Sequence, residues 1–169
     1  MSGKRFLFVM NRYLPAKSGA ENLASQIAEK LVLAGHSVDV FAFDSLTDAD
    51  YERKSSSLER EEIINKVRVK RFPLTRLLYH NRVMNLLEKN NMLKNYTGRR
   101  GLFSAKMVNA LQKHANDYDV IFAGVMPFTG VIYPALKTAK KFNKKFILLP
   151  LIHFGQISDK SDMKNFNKK

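Results

Sequence analysis

The sequence predicts an α/β domain built on a doubly wound, mainly parallel sheet, and three observations lead to this prediction. Short apolar runs of strand length alternate along the chain with amphipathic segments of helical period. The first strand, helix and strand fit into fewer than 40 residues, as in a βαβ unit with a parallel pair. Because the alternation continues along the chain, we expect about five parallel strands flanked by helices.

The first βαβ unit is the clearest part of the pattern. Phe6–Met10 is an unbroken apolar run, typical of a strand that is buried on both faces. Apolar residues then recur at helical spacing from about Gly19 to Ala34, and Gly35 is a stop signal for a helix. Ser37–Phe43 is predicted to be the second strand.

The remaining elements follow from the same periodicities. Asp44–Ile64 is polar, and we interpret it as an excursion with a short helix at Leu58–Ile64. The later predicted elements are a strand at Val67–Phe72, helices at Leu74–Leu93 and Phe103–His114, a strand at Asp119–Gly124, a helix at Gly130–Phe142 and a strand at Phe146–Ile152. We therefore expect one Rossmann-like domain over residues 1–157, with a basic insertion at about 73–101 and a basic, frayed tail at 158–169.

The positive charge of the chain is large and unevenly distributed. The 169 residues carry a formal net charge of +14. Eleven cations and only one carboxylate lie between Lys66 and Lys106, and nine lysines and two aspartates lie from Lys137 onward. Such a field attracts polyanions, which include nucleic acid, anionic lipid surfaces and phosphorylated substrates, and the charge does not choose among them.

Cysteine usage and hydropathy bear on the compartment. The absence of cysteine excludes disulfides and thiolate chemistry and predicts a reducing environment. The N-terminal apolar run is five residues long, too short for the core of a signal peptide. No stretch reaches the about 20 apolar residues of a membrane span. The expectation is a cytoplasmic protein, and a peripheral location at the inner face of the membrane is left open.

In an open α/β sheet, ligands bind beyond the carboxyl ends of the strands. At the first such junction, Ser18 and Glu21 have the spacing of a capping box. In that motif the serine oxygen accepts from the Glu21 N–H, and the Glu21 carboxylate reaches back to the Ser18 N–H. The same helix start offers N–H groups and a positive dipole end to a phosphate, and Gly19 lets an anion come close. The sequence leaves both interpretations open.

Other candidate residues carry weaker signals. The loop contains neither GxGxxG nor GxxxxGK[ST], so Asp44 is interpreted as a solvated loop residue rather than a ribose ligand. His153 follows the last predicted strand, where an imidazole suits a sugar hydroxyl or a developing charge, although a structural role is the alternative. No metal site or cofactor is predicted. The basic segment from Leu74 is a lid, a solvated face or an interfacial helix; its candidate acceptor or membrane contacts are Arg76, Arg82, Arg99 and Arg100.

Two segments resemble a known family. Lys4–Phe43 combines an apolar strand, a Pro-containing loop, Ser-Gly-Ala-Glu, a helix, Gly35-His36 and a second strand. This order resembles the N-terminal segment of retaining GT-B glycosyltransferases of family 4 (glycosyl transferases group 1), which typically have a Gly-Gly-Ala-Glu-like turn. Tyr118–Gly155 is similar to a later family segment, a strand, a helix and a strand that ends at a histidine.

The resemblance implies roles for several positions. Gly19 would approach the diphosphate of a nucleotide sugar, with Ser18 standing where the family usually has its first glycine. His153 would lie near the donor sugar as a catalytic residue. Gly124 stands where many members have His or Asn, which argues against an acceptor role there. The family's second domain, which carries a Glu-x7-Glu motif in the family, is not expected within these residues.

The expected function follows from the resemblance. The chain would be the acceptor-binding N-terminal domain of a retaining glycosyltransferase and inactive alone. It would use a nucleotide sugar and a glycan or lipid-linked acceptor, and would need a C-terminal donor-binding domain in cis or as a separate subunit. An anionic membrane surface is a further expected partner, and nucleic acid is not. The alternatives are a non-catalytic binding or membrane-recruiting subunit and a nucleotide-binding Rossmann-like domain.

Overall fold

The computed structural model describes residues 3–47, 50, 58–75, 102–124 and 128–150. Within these residues, strands and helices alternate as expected for an α/β domain. Their bounds are β1 Arg5–Val9, α1 Gly19–Leu33, β2 Ser37–Phe43, β3 Glu61–Ile64, β4 Val67–Phe72, α2 Ala105–His114, β5 Val120–Gly124, α3 Thr129–Lys141 and β6 Lys145–Leu149. A short 3₁₀ turn at Ala115–Asp117 follows α2.

The described strands form one six-stranded sheet in the order β3-β4-β2-β1-β5-β6. All neighbours pair in parallel except β3 and β4, so the mainly parallel, Rossmann-like sheet is confirmed. The chain moves from β1 to β2 and β4 on one side and then crosses to β5 on the other. The strand order therefore reverses between β1 and β5, and this point is where α/β sheets open a ligand crevice.

Each face of the sheet is covered by a different set of helices. Leu7 and Val9 lie in one buried apolar layer with residues of α2 and α3, whereas Phe8 and Met10 lie in a second layer with residues of α1. Successive side chains of a strand point to opposite faces, so burial on both sides requires an unbroken apolar run. This is the physical reason why β1 was recognisable in the sequence.

The predicted helix at Leu58–Ile64 is wrong, because part of this segment is strand β3. Asn65 and Lys66 have φ angles of 50° and 67°, as in the two-residue turns that connect β-hairpins. They place Ile64 opposite Val67, and β3 pairs antiparallel with β4. Pairing with the edge of β4 gives hydrogen-bond partners to the backbone N–H and C=O groups of this segment. A short, charged helical turn would leave most of these groups without partners in the protein.

The other described elements have the predicted type, and their bounds agree with the prediction to within two residues except at the end of β6. This strand ends at Leu149, whereas the prediction extended to Ile152, which lies outside the described residues. The helix predicted at Leu74–Leu93 lies outside the described residues except for its first two positions. The same holds for most of the insertion at 73–101 and for the tail at 158–169.

Candidate functional site

The candidate site is the carboxyl edge of the sheet where β1 passes into α1. The loop begins as a continuation of the sheet, since the Met10 N–H donates to the Phe41 carbonyl at 2.9 Å. The Asn11 carbonyl then accepts from the Phe43 N–H at 3.3 Å. These bonds fix the start of the loop beside the carboxyl end of β2.

The loop turns sharply before the helix. The Leu14–Pro15 peptide bond is cis, and the Ala16 N–H donates to the Tyr13 carbonyl at 3.1 Å. Tyr13 is buried in the apolar layer beneath α1. Burial and, to a smaller extent, the nearby charge of Glu29 raise the pKa of the Tyr13 phenol above its ordinary value. The ring is therefore a neutral anchor for the loop at physiological pH.

The helix start has the backbone that was predicted, with Ser18 as the extended N-cap residue (φ −137°, ψ 176°) and Gly19 as the first helical residue. The first bond of the helix runs from the Asn22 N–H to the Ser18 carbonyl at 3.0 Å. The preceding N–H groups of the first turn have no acceptor within the helix. A Cβ built on Gly19 would meet no atom within 4 Å, so the space above this residue is open.

The predicted capping box is not formed. The Ser18 hydroxyl makes no capping bond to the backbone and instead donates to Oε2 of Glu21. The other carboxylate oxygen, Oε1, accepts from Nε of Arg12 at 3.1 Å. Because the Glu21 carboxylate is 2% exposed and can pair with this guanidinium, it turns toward Arg12 rather than back to the Ser18 N–H. Ser18 and Glu21 thus shape the helix start through side chains alone.

The Arg12–Glu21 pair has an electrostatic consequence for the site. A carboxylate in the first turn complements the positive end of the helix dipole, which lowers the attraction for a second anion. Arg12, 16% exposed, offsets that charge locally. The open N–H groups at Gly19 and the paired carboxylate therefore coexist in one turn without a net local negative charge.

Arg71 is a site residue that the sequence analysis did not single out. Its side chain is 1% exposed and lies on the same face of β4 as Val67 and Val69. Nη2 donates to the Leu14 carbonyl at 2.5 Å, Nη1 donates to the Glu59 carbonyl at 2.8 Å, and the guanidinium pairs with Glu62. The strict alternation Val-x-Val-x-Arg was the available signal, since it placed a cation on an apolar face.

Arg71 links two parts of the chain that are distant in sequence. One end of its guanidinium holds the loop between β1 and α1, and the other holds the segment that enters the β3–β4 hairpin. A buried guanidinium with its donors satisfied makes strong, directional bonds. The position of the loop at the candidate site therefore depends on the hairpin.

Two further predicted positions lie at the same edge. Asp44 follows β2 and is half-buried, and its N–H donates to the Phe72 carbonyl at 3.1 Å. Gly124 ends β5 and is buried, where an added Cβ would touch the Leu149 side chain at 3.4 Å. The remaining candidates lie outside the described residues: His153, Arg76, Arg82, Arg99 and Arg100.

A second polar cluster lies toward the opposite end of the sheet. The Tyr118 hydroxyl donates to Oδ2 of Asp39 at 2.7 Å, and Nε of Arg68 donates to Oδ1 of the same carboxylate at 3.1 Å. Burial, followed by the hydrogen bond to Asp39, raises the pKa of Tyr118 above its ordinary value. Tyr118 and Arg68 both donate to the Asp39 carboxylate, so this cluster joins β2, β4 and the start of β5.

The described part of the chain lacks two kinds of feature. Its titratable side chains include no group of three or more that could hold a metal ion. Its helices include none that combines the length and the apolar character needed to cross a bilayer.

The chain was also compared with known proteins. Neither the models of protein families nor the curated proteins contain a match to it.

Proposed function

We propose that this chain is the acceptor-side N-terminal domain of a retaining, nucleotide-sugar-dependent glycosyltransferase of the GT-B type. The observation that carries the proposal is the open start of α1 at Gly19, beside the switch point between β1 and β5. The resemblance of Lys4–Phe43 and Tyr118–Gly155 to family 4 enzymes supports it. The acceptor is a glycan or a lipid-linked molecule.

In this proposal, α1 contributes to departure of the leaving group. The bond between the sugar and the nucleoside diphosphate breaks in the reaction, and negative charge develops on the departing diphosphate. N–H groups at a helix start, which need no reorganisation, stabilise such charge in a site from which water is excluded. Gly19 admits a phosphate oxygen to these N–H groups because no side chain intervenes.

Arg71 and the Arg12–Glu21 pair keep this helix start in place, and His153 acts beside the donor sugar. A second domain supplies the rest of the nucleotide-sugar site and closes the cleft. Transfer requires both reactants in one closed, water-poor site, so this domain alone is inactive. The second domain belongs to the same polypeptide or to a separate subunit.

Titration with uridine diphosphate and with inorganic pyrophosphate tests the role of α1. The readout is the chemical shift of each backbone amide, measured by NMR. We expect shifts centred on Ser18–Glu21 in the wild-type chain and their loss in Gly19→Leu. Folding should survive this change, because the space above Gly19 is empty. Gln26→Leu is the matched control, since it adds the same side chain at an exposed position of the same helix. Equal shifts in both variants, or no shift with either probe, would refute the anion role.

A transfer assay tests the requirement for a second domain. Sugar transfer by this chain alone, from any of the common nucleotide sugars, would contradict the proposal that the site is incomplete. Transfer that appears only when a Glu-x7-Glu domain is supplied would support it.

A further inference from the structure

The amino edge of the sheet, opposite the candidate site, is defined by hydrogen bonds between successive strand starts. The Ser37 N–H donates to the Lys4 carbonyl at 3.0 Å, and the Asp119 N–H donates to the Arg5 carbonyl at 2.9 Å. The Lys145 N–H then donates to the Asp119 carbonyl at 3.3 Å. The starts of β2, β1, β5 and β6 therefore form a continuous border.

The turn between α3 and β6 brings four lysines to this border. Lys140 and Lys141 end α3, Lys145 begins β6, and Lys144 comes directly before it. Asn143, at a φ of 52°, makes the tight turn between the two pairs. Three of the four lysines are exposed and Lys144 is half-buried, with Nζ 3.5 Å from the Asn116 carbonyl. Among the described residues, no carboxylate forms an ion pair with any of them.

The carboxylates near this border are already engaged. Asp119 accepts from the Arg5 N–H at 2.8 Å, and Asp117 pairs with His114 at 3.1 Å. Lysines outnumber them, so the border presents a positive field to its surroundings.

Apolar side chains lie at the same border. Leu33, in the last turn of α1, is 81% exposed. The turn that follows it lies against the segment before β1, because an added Cβ on Gly3 would overlap the Gly35 carbonyl. Phe142, in the lysine turn, is half-buried, and Nζ of Lys141 lies 5.4 Å from the centroid of its ring.

We propose that this amino-edge surface, comprising Lys4, Leu33, Lys140, Lys141, Lys144 and Lys145, docks on an anionic lipid bilayer. Lysine is a compact point charge without the planar fork that reads nucleic-acid bases, and its charge adds on a lipid surface without a defined partner geometry. An exposed leucine at the same edge of the sheet as the lysines matches the combination of side chains found on peripheral membrane surfaces. These features favour lipid over nucleic acid.

The proposal sets an orientation for the protein. The amino and carboxyl edges are opposite ends of a parallel sheet, so the candidate site at Gly19 faces away from the bilayer. The residues of this surface are not those of the basic segment at Arg76–Arg100, so each set can be substituted and tested separately. The proposal of lipid docking does not depend on the proposed glycosyltransferase function.

Flotation with vesicles tests this surface. The full chain is mixed with vesicles of phosphatidylglycerol and phosphatidylcholine, or of phosphatidylcholine alone, at about 0.1 M salt, where the Debye length is about 10 Å. We expect binding only to the anionic vesicles. Each lysine near such a surface changes partitioning about fivefold, so replacing Lys140, Lys141, Lys144 and Lys145 with Gln should weaken binding roughly 100-fold or more.

Two matched variants keep the test specific. The variant with Gln at Lys140, Lys141, Lys144 and Lys145 is called the lysine-turn variant. A control variant with Gln at Lys160, Lys164, Lys168 and Lys169 loses the same amount of charge and should bind anionic vesicles much more tightly than the lysine-turn variant. Gln at Arg76, Arg82, Arg99 and Arg100 should do the same. Leu33→Ser tests the apolar contribution without changing charge, and thermal unfolding checks that each variant is folded.

The results that support lipid docking at this surface differ from those that overturn it. Selective loss in the lysine-turn variant supports the proposal. It is overturned if the wild-type chain fails to float, or if all three charge variants lose binding equally. Retention of anionic-vesicle binding by the folded lysine-turn variant also overturns it, as does preference for single- or double-stranded DNA over anionic vesicles in direct competition.

Discussion

Replacing Arg71 should release the loop at the candidate site and destabilise the fold. Arg71→Leu leaves the carbonyls of Leu14 and Glu59 without their donor, and leaves Glu62 without its cation. An acceptor left unsatisfied in a buried place costs about 1–3 kcal/mol. Leu14 is half-buried, and Glu59 and Glu62 can be rehydrated, so each acceptor should cost an amount near the low end of this range. The expected loss for the two carbonyls together is about 2–3 kcal/mol.

Urea unfolding measures this loss. For a slope of about 2 kcal/mol per M, the midpoint should fall by roughly 1–1.5 M. Lys70→Met is the matched control, since Lys70 is the neighbouring residue of β4 and its pair with Glu61 is solvent-exposed. An exposed pair of this kind contributes about 0–1 kcal/mol. Arg71→Lys, which keeps the charge but not the fork, should fall between the two.

Hydrogen exchange locates the effect. The Ala16 N–H donates to the Tyr13 carbonyl within the loop. Relative to the wild-type chain, a folded Arg71 variant should show a larger increase in the exchange rate of this N–H than of the amides in β1. If Arg71→Leu shifts the urea midpoint no more than Lys70→Met, or if exchange in the loop is unchanged, the reasoning that the guanidinium positions the loop is refuted.

Three further changes have defined outcomes. Glu21→Gln removes the charge of the buried carboxylate that pairs with half-buried Arg12, and should lower the free energy of unfolding by about 1–3 kcal/mol. The folded state raises the pKa values of Tyr13 and Tyr118 above 10.0. Their contribution to stability is therefore complete below about pH 10 and is lost as the pH rises further. Tyr→Phe at either position should make this alkaline loss of stability less steep in denaturation curves measured at several pH values. Lys66 has a φ of 67°, a left-handed conformation that costs a residue with a side chain about 1–2 kcal/mol, whereas Gly adds about 0.4–1 kcal/mol of unfolded-chain entropy. Lys66→Gly should therefore stabilise the hairpin by about 0.5–1 kcal/mol in thermal unfolding, and a loss would contradict the turn assignment.

The alternation of apolar runs and helical periods was sufficient to predict most of the described fold. Phe8 and Ile121 are buried because their strands are covered on both sides, and such strands must be apolar throughout. Strand β3 was missed because its sequence, with Glu61 and Glu62 in succession, lacks that signature. Its strand state comes from pairing with β4, which is a long-range effect that no local periodicity contains.

The candidate site was predicted in part. Ser18, Gly19 and Glu21 were identified because the helix start has a recognisable local spacing, and the N-cap position of Ser18 is confirmed. Their hydrogen bonds differ from the prediction, because Arg12 competes for the Glu21 carboxylate once the loop folds back. Local spacing cannot include a partner that is brought near only by the turn of the chain.

By itself, the sequence determined the α/β class, the parallel βαβ start and the position of the helix that begins at Gly19, because these depend on periodicity and on backbone preferences of a few adjacent residues. Only the tertiary structure decided the strand order with its reversal between β1 and β5. It also decided the bonds of Arg71 to Leu14 and Glu59, and the gathering of lysines at the amino edge. These features join residues that are distant along the chain, and burial and strand pairing, rather than local preference, set which of them meet.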